Sequence, residues 1–132
     1  MRCALIVLAT WMVTGCGPSP AQQAADGRDR AGSWAASIQV AVDDWADDLV
    51  PARYVHITLD AAAKDLASEA AQLRQVAGPS AGDPLDAVTR AVPGLEDAVL
   101  RGDRPRARQT AAALSHAVPP PPIPPSARPD SR

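Results

Sequence analysis

The chain has 132 residues, with 13 lysines and arginines against 15 acidic residues and a formal charge of −2. The length allows one small domain, and the charge balance excludes the basic excess that nucleic-acid binding calls for. With no Phe, one Tyr, three Trp and two Cys, the interior must come from Ala, Val and Leu, without a disulfide framework.

Arg2 supplies a positive charge, and residues 4–13 form a mostly apolar run. A membrane-spanning helix needs roughly 20 apolar residues, so the run is too short to span and fits the core of an export signal. Val13-Thr14-Gly15-Cys16 closes it with an aliphatic residue, two small residues and a thiol. This resembles the lipobox of bacterial lipoproteins, in which a diacylglycerol is attached to the Cys thiol and a peptidase cuts the bond before that Cys. The resemblance covers only residues 1–16. It implies a signal peptide over 1–15, Cys16 as the lipidated (palmitate-carrying) first residue, and an address in the cell envelope. That address is the outside of the cytoplasmic membrane or the outer membrane. Several acyl chains anchor durably where one holds only weakly, and Gly17 rather than an acidic residue follows the Cys, which leans towards an outer membrane where the host has two. Cys3 lies in the part removed, so the mature chain keeps no free thiol. Removing 15 of 132 residues leaves 117, which must rest on their own core. An ordinary cleavable signal with a chance Cys is the competing reading.

Residues 16–32 read as the lipidated Cys followed by a flexible tether. From Gly17 to Gly32 no periodic apolar face is visible, and Gly and Pro recur. The Arg28-Asp29-Arg30 triplet reads as a solvated stretch rather than a lipid-headgroup site.

Four amphipathic segments follow over 33–118. Ser33 is placed to cap a helix from Trp34, whose apolar positions Trp34, Ile38, Ala41, Val42, Trp45 and Leu49 recur at steps of three and four. Pro51 ends it or opens the next. The second helix is expected from about Ala52 to Ala77, on the stripe Val55, Leu59, Ala62, Leu66, Ala70, Leu73; Gly78 to Gly82 ends it in a loop. Asp83 caps a third, with Pro84 at its first position. Its face Leu85, Val88, Val92, Leu95, Val99 runs through Pro93-Gly94, either as one kinked helix or as two short ones; the unbroken register favours one. Asp103 caps a fourth, with Ala107, Ala111, Leu114 and Val118 on its face. Residues 119–132 are expected to be a disordered proline-rich tail, extended over 119–125. The fold class is therefore all-α: a small antiparallel up-down helical bundle of four helices, with three as the alternative.

In such a bundle the first helix ends where the fourth begins. Asp43, Asp44, Asp47 and Asp48 crowd a helix C-terminus whose dipole disfavours them, and the same end holds Arg101, Arg104, Arg106 and Arg108. Three readings stand: a solvated acidic face, cross-helix ion pairs, and a divalent-cation site. His56 and Asp60, spaced i, i+4, form a second weak cation candidate. His116 sits too far along the opposite end to share a metal with His56.

Met1 and Met12 both lie in the signal, and no Cys-x-x-Cys-His or Glu-x-x-His occurs, so haem and di-iron sites lack their ligands. Gly78-Pro79-Ser80-Ala81-Gly82 has Gly-x-Ser-x-Gly spacing, but it follows a helical stripe and not the strand that a nucleophile elbow needs, and it lacks the lysine of a phosphate loop. No cofactor and no catalytic residue is expected. Trp34 and Trp45, eleven residues apart, share a face that reads as core or as a shallow surface with Tyr54. The functional expectation is a membrane-anchored helical interaction module that contacts another envelope protein, with no nucleic acid. The alternative is a small-ligand or divalent-cation binder.

Overall fold

The computed structural model describes residues 17–118. The expected signal peptide, Cys16 and the expected proline-rich tail lie outside the described residues. Four helices and no strand make up what is described: α1 (Pro20–Ala46), α2 (Ala52–Ala77), α3 (Asp83–Leu100) and α4 (Arg104–Ala117). The protein is an all-α helical bundle. α1 packs against all three other helices, α3 packs against α2 and α4, and α2 and α4 do not approach each other.

α1 corrects the expected tether. It begins at Pro20, where the Ser19 side chain accepts from Gln22 N–H and proline occupies the first turn. Ser33 is not a cap; it lies inside the helix and donates its hydroxyl proton to the Asp29 carbonyl. The physical reason is the packing at this end. Gly27, Ala31, Gly32 and Ala35 are buried, so the helix face there is made of residues too small to register as an apolar stripe. A Cβ built on Gly27 would lie 2.3 Å from Leu73 Cδ1. The missing side chain is what lets α1 approach α2 this closely.

α1 ends earlier than the apolar pattern suggested. Asp48 N–H donates to the Trp45 carbonyl and Leu49 N–H to the Asp44 carbonyl, with Asp48 left-handed at φ 60°. These are the two bonds of a Schellman stop. The chain then turns away, and Leu49 is 72% exposed instead of lying on the core face. α3 stops in the same way. Gly102, at φ 69°, donates to Val99 and Asp103 to Ala98.

α2 spans the expected residues. α3 is one continuous helix with Pro93 inside it, exposed on the outer side together with Gly94. Its cap is Gly82; Asp83 is the first helical residue, where its charge still suits the dipole. Asp103 does cap α4, accepting from Arg106 N–H. The core is aliphatic: Ile38, Leu59, Leu66, Leu85 and Leu95 are fully buried, and among the described residues no polar or charged side chain is buried. Each such Leu or Ile stabilises the bundle by about 1.5–3 kcal/mol relative to exposure.

Candidate functional site

The most developed polar feature lies on the outer seam between α1 and α2. Arg30 and Trp34 are one turn apart on α1, and Asp65 and Glu69 are one turn apart on α2, so the four face each other across the seam. Arg30 Nε lies 3.2 Å from Asp65 Oδ2 and 2.7 Å from Glu69 Oε2. Trp34 Nε1–H donates to the same Asp65 oxygen at 2.9 Å. The cluster parts two adjoining hollows open to solvent. One, of about 470 Å³, is lined by Gln23, Asp26, Gln72 and Leu73 as well as the ion cluster. The other, of about 410 Å³, is lined by Asp29, Ser33, Trp34 and Ser37. Arg30 and Asp65 border both.

The two carboxylates of the cluster are tuned in opposite directions. The Trp34 N–H, and then the Arg30 guanidinium, hold the Asp65 carboxyl below its ordinary value. Burial pushes Glu69 above its ordinary value, and the attraction of Arg30 does not overcome it. Arg30 itself is raised, chiefly by its hydrogen bond to Asp65. With Asp26 and Asp29, the groove carries four acidic side chains against one arginine. Chemically it suits a positively charged or hydrogen-bond-donating ligand surface rather than an anion.

The cation candidates from the sequence fall differently. Asp43, Asp47 and Asp48 turn to α4, where Arg108 pairs with Asp43 and Asp47, and Arg104 pairs with Asp48 through both Nη atoms. The same arginines reach backbone carbonyls at the end of α1, that of Ala46, which accepts from no backbone N–H of the helix end, and that of Asp43, which also accepts from Asp47 N–H. Arg104 Nη1 donates to Ala46 at 3.3 Å and Arg108 Nη2 to Asp43 at 3.4 Å. Arg104 also lies 5.8 Å from the Trp45 ring centroid. Three of the four aspartates at this negative helix end are thus offset by guanidinium groups from the neighbouring helix. Arg101 pairs within its own helix, with Asp97. Asp44 is half-buried, and Arg106 is exposed. Asp60 pairs with Lys64, while His56 is half-buried and His116 exposed. Among the described residues no group of three or more His, Cys, Asp or Glu side chains is placed to hold a metal ion.

The aromatic residues do not form one pocket. Trp45 is buried in the core, Trp34 borders the groove, and Tyr54 borders a separate shallow hollow with Val40. The groove cluster was missed in the sequence because its halves are 35 residues apart and each looks like ordinary helix surface. The available signal was the pair Asp65 and Glu69, spaced i, i+4 along the flank of the second helix's apolar stripe. No described helix is long and apolar enough to cross a membrane. No protein-family model, curated protein or solved structure matches this chain.

Proposed function

We propose that the chain is a lipid-anchored protein of the bacterial cell envelope, whose helical bundle serves as a binding module for another envelope protein and not as an enzyme. The observation that carries the anchor is Val13-Thr14-Gly15-Cys16 directly behind a short apolar run. The observation that favours binding over catalysis is the α1–α2 groove. It offers open polar surface with an ion pair at its centre, and its side chains make no nucleophile–base pair. A partner that places a Lys or Arg against Asp26, Asp29 and Glu69 would meet complementary charge. The acidic excess of the same hollows favours, as a second reading, a small cationic ligand.

Mass spectrometry of the protein from its host tests the anchor. The expected result is a mature chain that begins at an acylated Cys16. An intact Met1, or an unmodified thiol at position 16, overturns it. A photocrosslinker placed in vivo at Ser68, in the groove, and at Arg90, on α3, tests the module. The expected result is one discrete protein adduct from Ser68 and none from Arg90. Equal adducts from both positions, or none from either, overturn the groove as the contact surface. Calorimetry of the soluble part with a diamine tests the second reading.

A further inference from the structure

We infer that the end of the bundle built from the start of α1, the end of α2 and the α2–α3 loop is held against the lipid headgroups, with the Arg–Asp end of α1 and α4 pointing away from the membrane. The inference rests on Cys16 being the anchor. Its first support is length. Only Gly17, Pro18 and Ser19 separate Cys16 from α1, and four residue steps span at most about 14 Å even when fully extended. The 27-residue α1 is about 40 Å long at 1.5 Å per residue. A 16-residue tether would have let the module range freely over the surface; the link present is about a third of the module's own length.

The second support is the make-up of the two ends. Gly27 abuts Leu73, and Gln23 and Val76 line one hollow, so the end of α2 lies beside the start of α1. α4 runs towards that end too, since Arg108 meets Asp43 whereas Ser115 Oγ donates to the Ala35 carbonyl. Residues 17–25, 75–82 and 109–118, which meet at or run towards this end, contain no Asp, Glu, Lys or Arg; the nearest charges are Asp26, Asp83 and the Arg74–Asp86 pair, which is neutral as a pair. The far end holds Asp43, Asp47 and Asp48 with Arg104, Arg106 and Arg108. Bringing charged side chains to a poorly hydrated boundary costs free energy, so the end with fewer charges approaches at the smaller penalty.

The partner of the near end is therefore a lipid surface. The groove beside Arg30 opens on the flank, within reach of another protein anchored in the same leaflet. The test uses the lipidated protein, made with its signal in a bacterium and reconstituted into vesicles of phosphatidylethanolamine and phosphatidylglycerol that carry a headgroup acceptor dye. Ser80→Cys marks the near end and Leu49→Cys the far end, each with a donor fluorophore. Energy transfer is expected to be at least about twofold higher from Ser80, given a separation on the order of 40 Å. A 15-residue Gly/Ser insertion between Gly17 and Pro18 should bring the Ser80 value down towards that of Leu49. Protein that does not float with the vesicles overturns the anchor and this orientation with it. Protein that floats but gives equal transfer from both labels, or a Ser80 value unmoved by the insertion, overturns the orientation alone.

Discussion

Asp48 occupies at the end of α1 the left-handed position that Gly102 occupies at the end of α3. A side chain there is sterically disfavoured, and Asp is among the few residues that tolerate it. Arg104 supplies the reason for a charged residue, and it holds the Asp48 carboxyl below its ordinary value through a hydrogen bond. Two effects therefore oppose each other at one residue. Asp48→Gly relieves the backbone and loses the pair; Asp48→Ala loses the pair and keeps the strain. The urea midpoint is expected to fall further for Asp48→Ala than for Asp48→Gly, and a reversed order would remove the left-handed cost from the account. Ser19 and Ser33 form a second contrast. Ser19 accepts from a first-turn N–H, so Ser19→Ala should cost about 1 kcal/mol. Ser33 is exposed inside the helix, so Ser33→Ala should gain a few tenths of a kcal/mol. Denaturant unfolding of the two variants reads directly where α1 begins.

The helices differ in how openly the sequence declares them. α2 carries Val55, Leu59, Leu66 and Leu73 on its buried face, with Ala62 and Ala70 keeping the same register between them, and its limits are legible in the sequence. α1 was legible only from Trp34 onward, because Gly27, Ala31 and Gly32 bury close helix contact without producing hydrophobic contrast. Sequence periodicity measures large side chains, and small-residue packing escapes it. The cross-helix pairing of Asp43, Asp47 and Asp48 with Arg104 and Arg108 was one of three open readings, reached through the up-down arrangement. The α1–α2 groove was not read at all, since it depends on where residue 30 falls against residues 65 and 69. α3 holds an unrelieved local cost. Pro93 removes a helical hydrogen bond, and Gly94 carries the entropy of a flexible backbone with nothing within 4 Å of the position its Cβ would take. Gly94→Ala should therefore stabilise by about 0.5–1 kcal/mol. Pro93→Ala should stabilise by up to about 3 kcal/mol. Thermal unfolding of both variants checks this, and loss of stability in either would mean that α3 depends on a bend at that turn.

Across the whole molecule, acid acts through Asp48 and Asp65 in one direction and through Glu69 in the other. Asp48 and Asp65 have folded values below their ordinary ones. As pH falls past the ordinary Asp value of about 3.9, the unfolded chain takes up protons that the folded chain refuses. Their stabilisation is complete above that value and is lost as pH descends through the folded values. Glu69 has a folded value above its ordinary one, mainly because it is partly buried. The folded chain therefore takes up its proton first, and stability gains as pH falls from the folded value to about 4.3, the ordinary Glu value. The bundle should hold its urea midpoint from about pH 6 to about pH 4 and lose it below. Glu69→Gln removes the offsetting gain, so its midpoint should begin to fall at a higher pH than that of the parent chain. Asp65→Asn removes one of the acid-labile contributions, so its midpoint should fall less steeply below about pH 4. Midpoints for the three proteins at four pH values decide the matter. Were Glu69→Gln to run parallel to the parent, attraction to Arg30 would be cancelling burial at Glu69, and the groove would be wetter than its geometry implies.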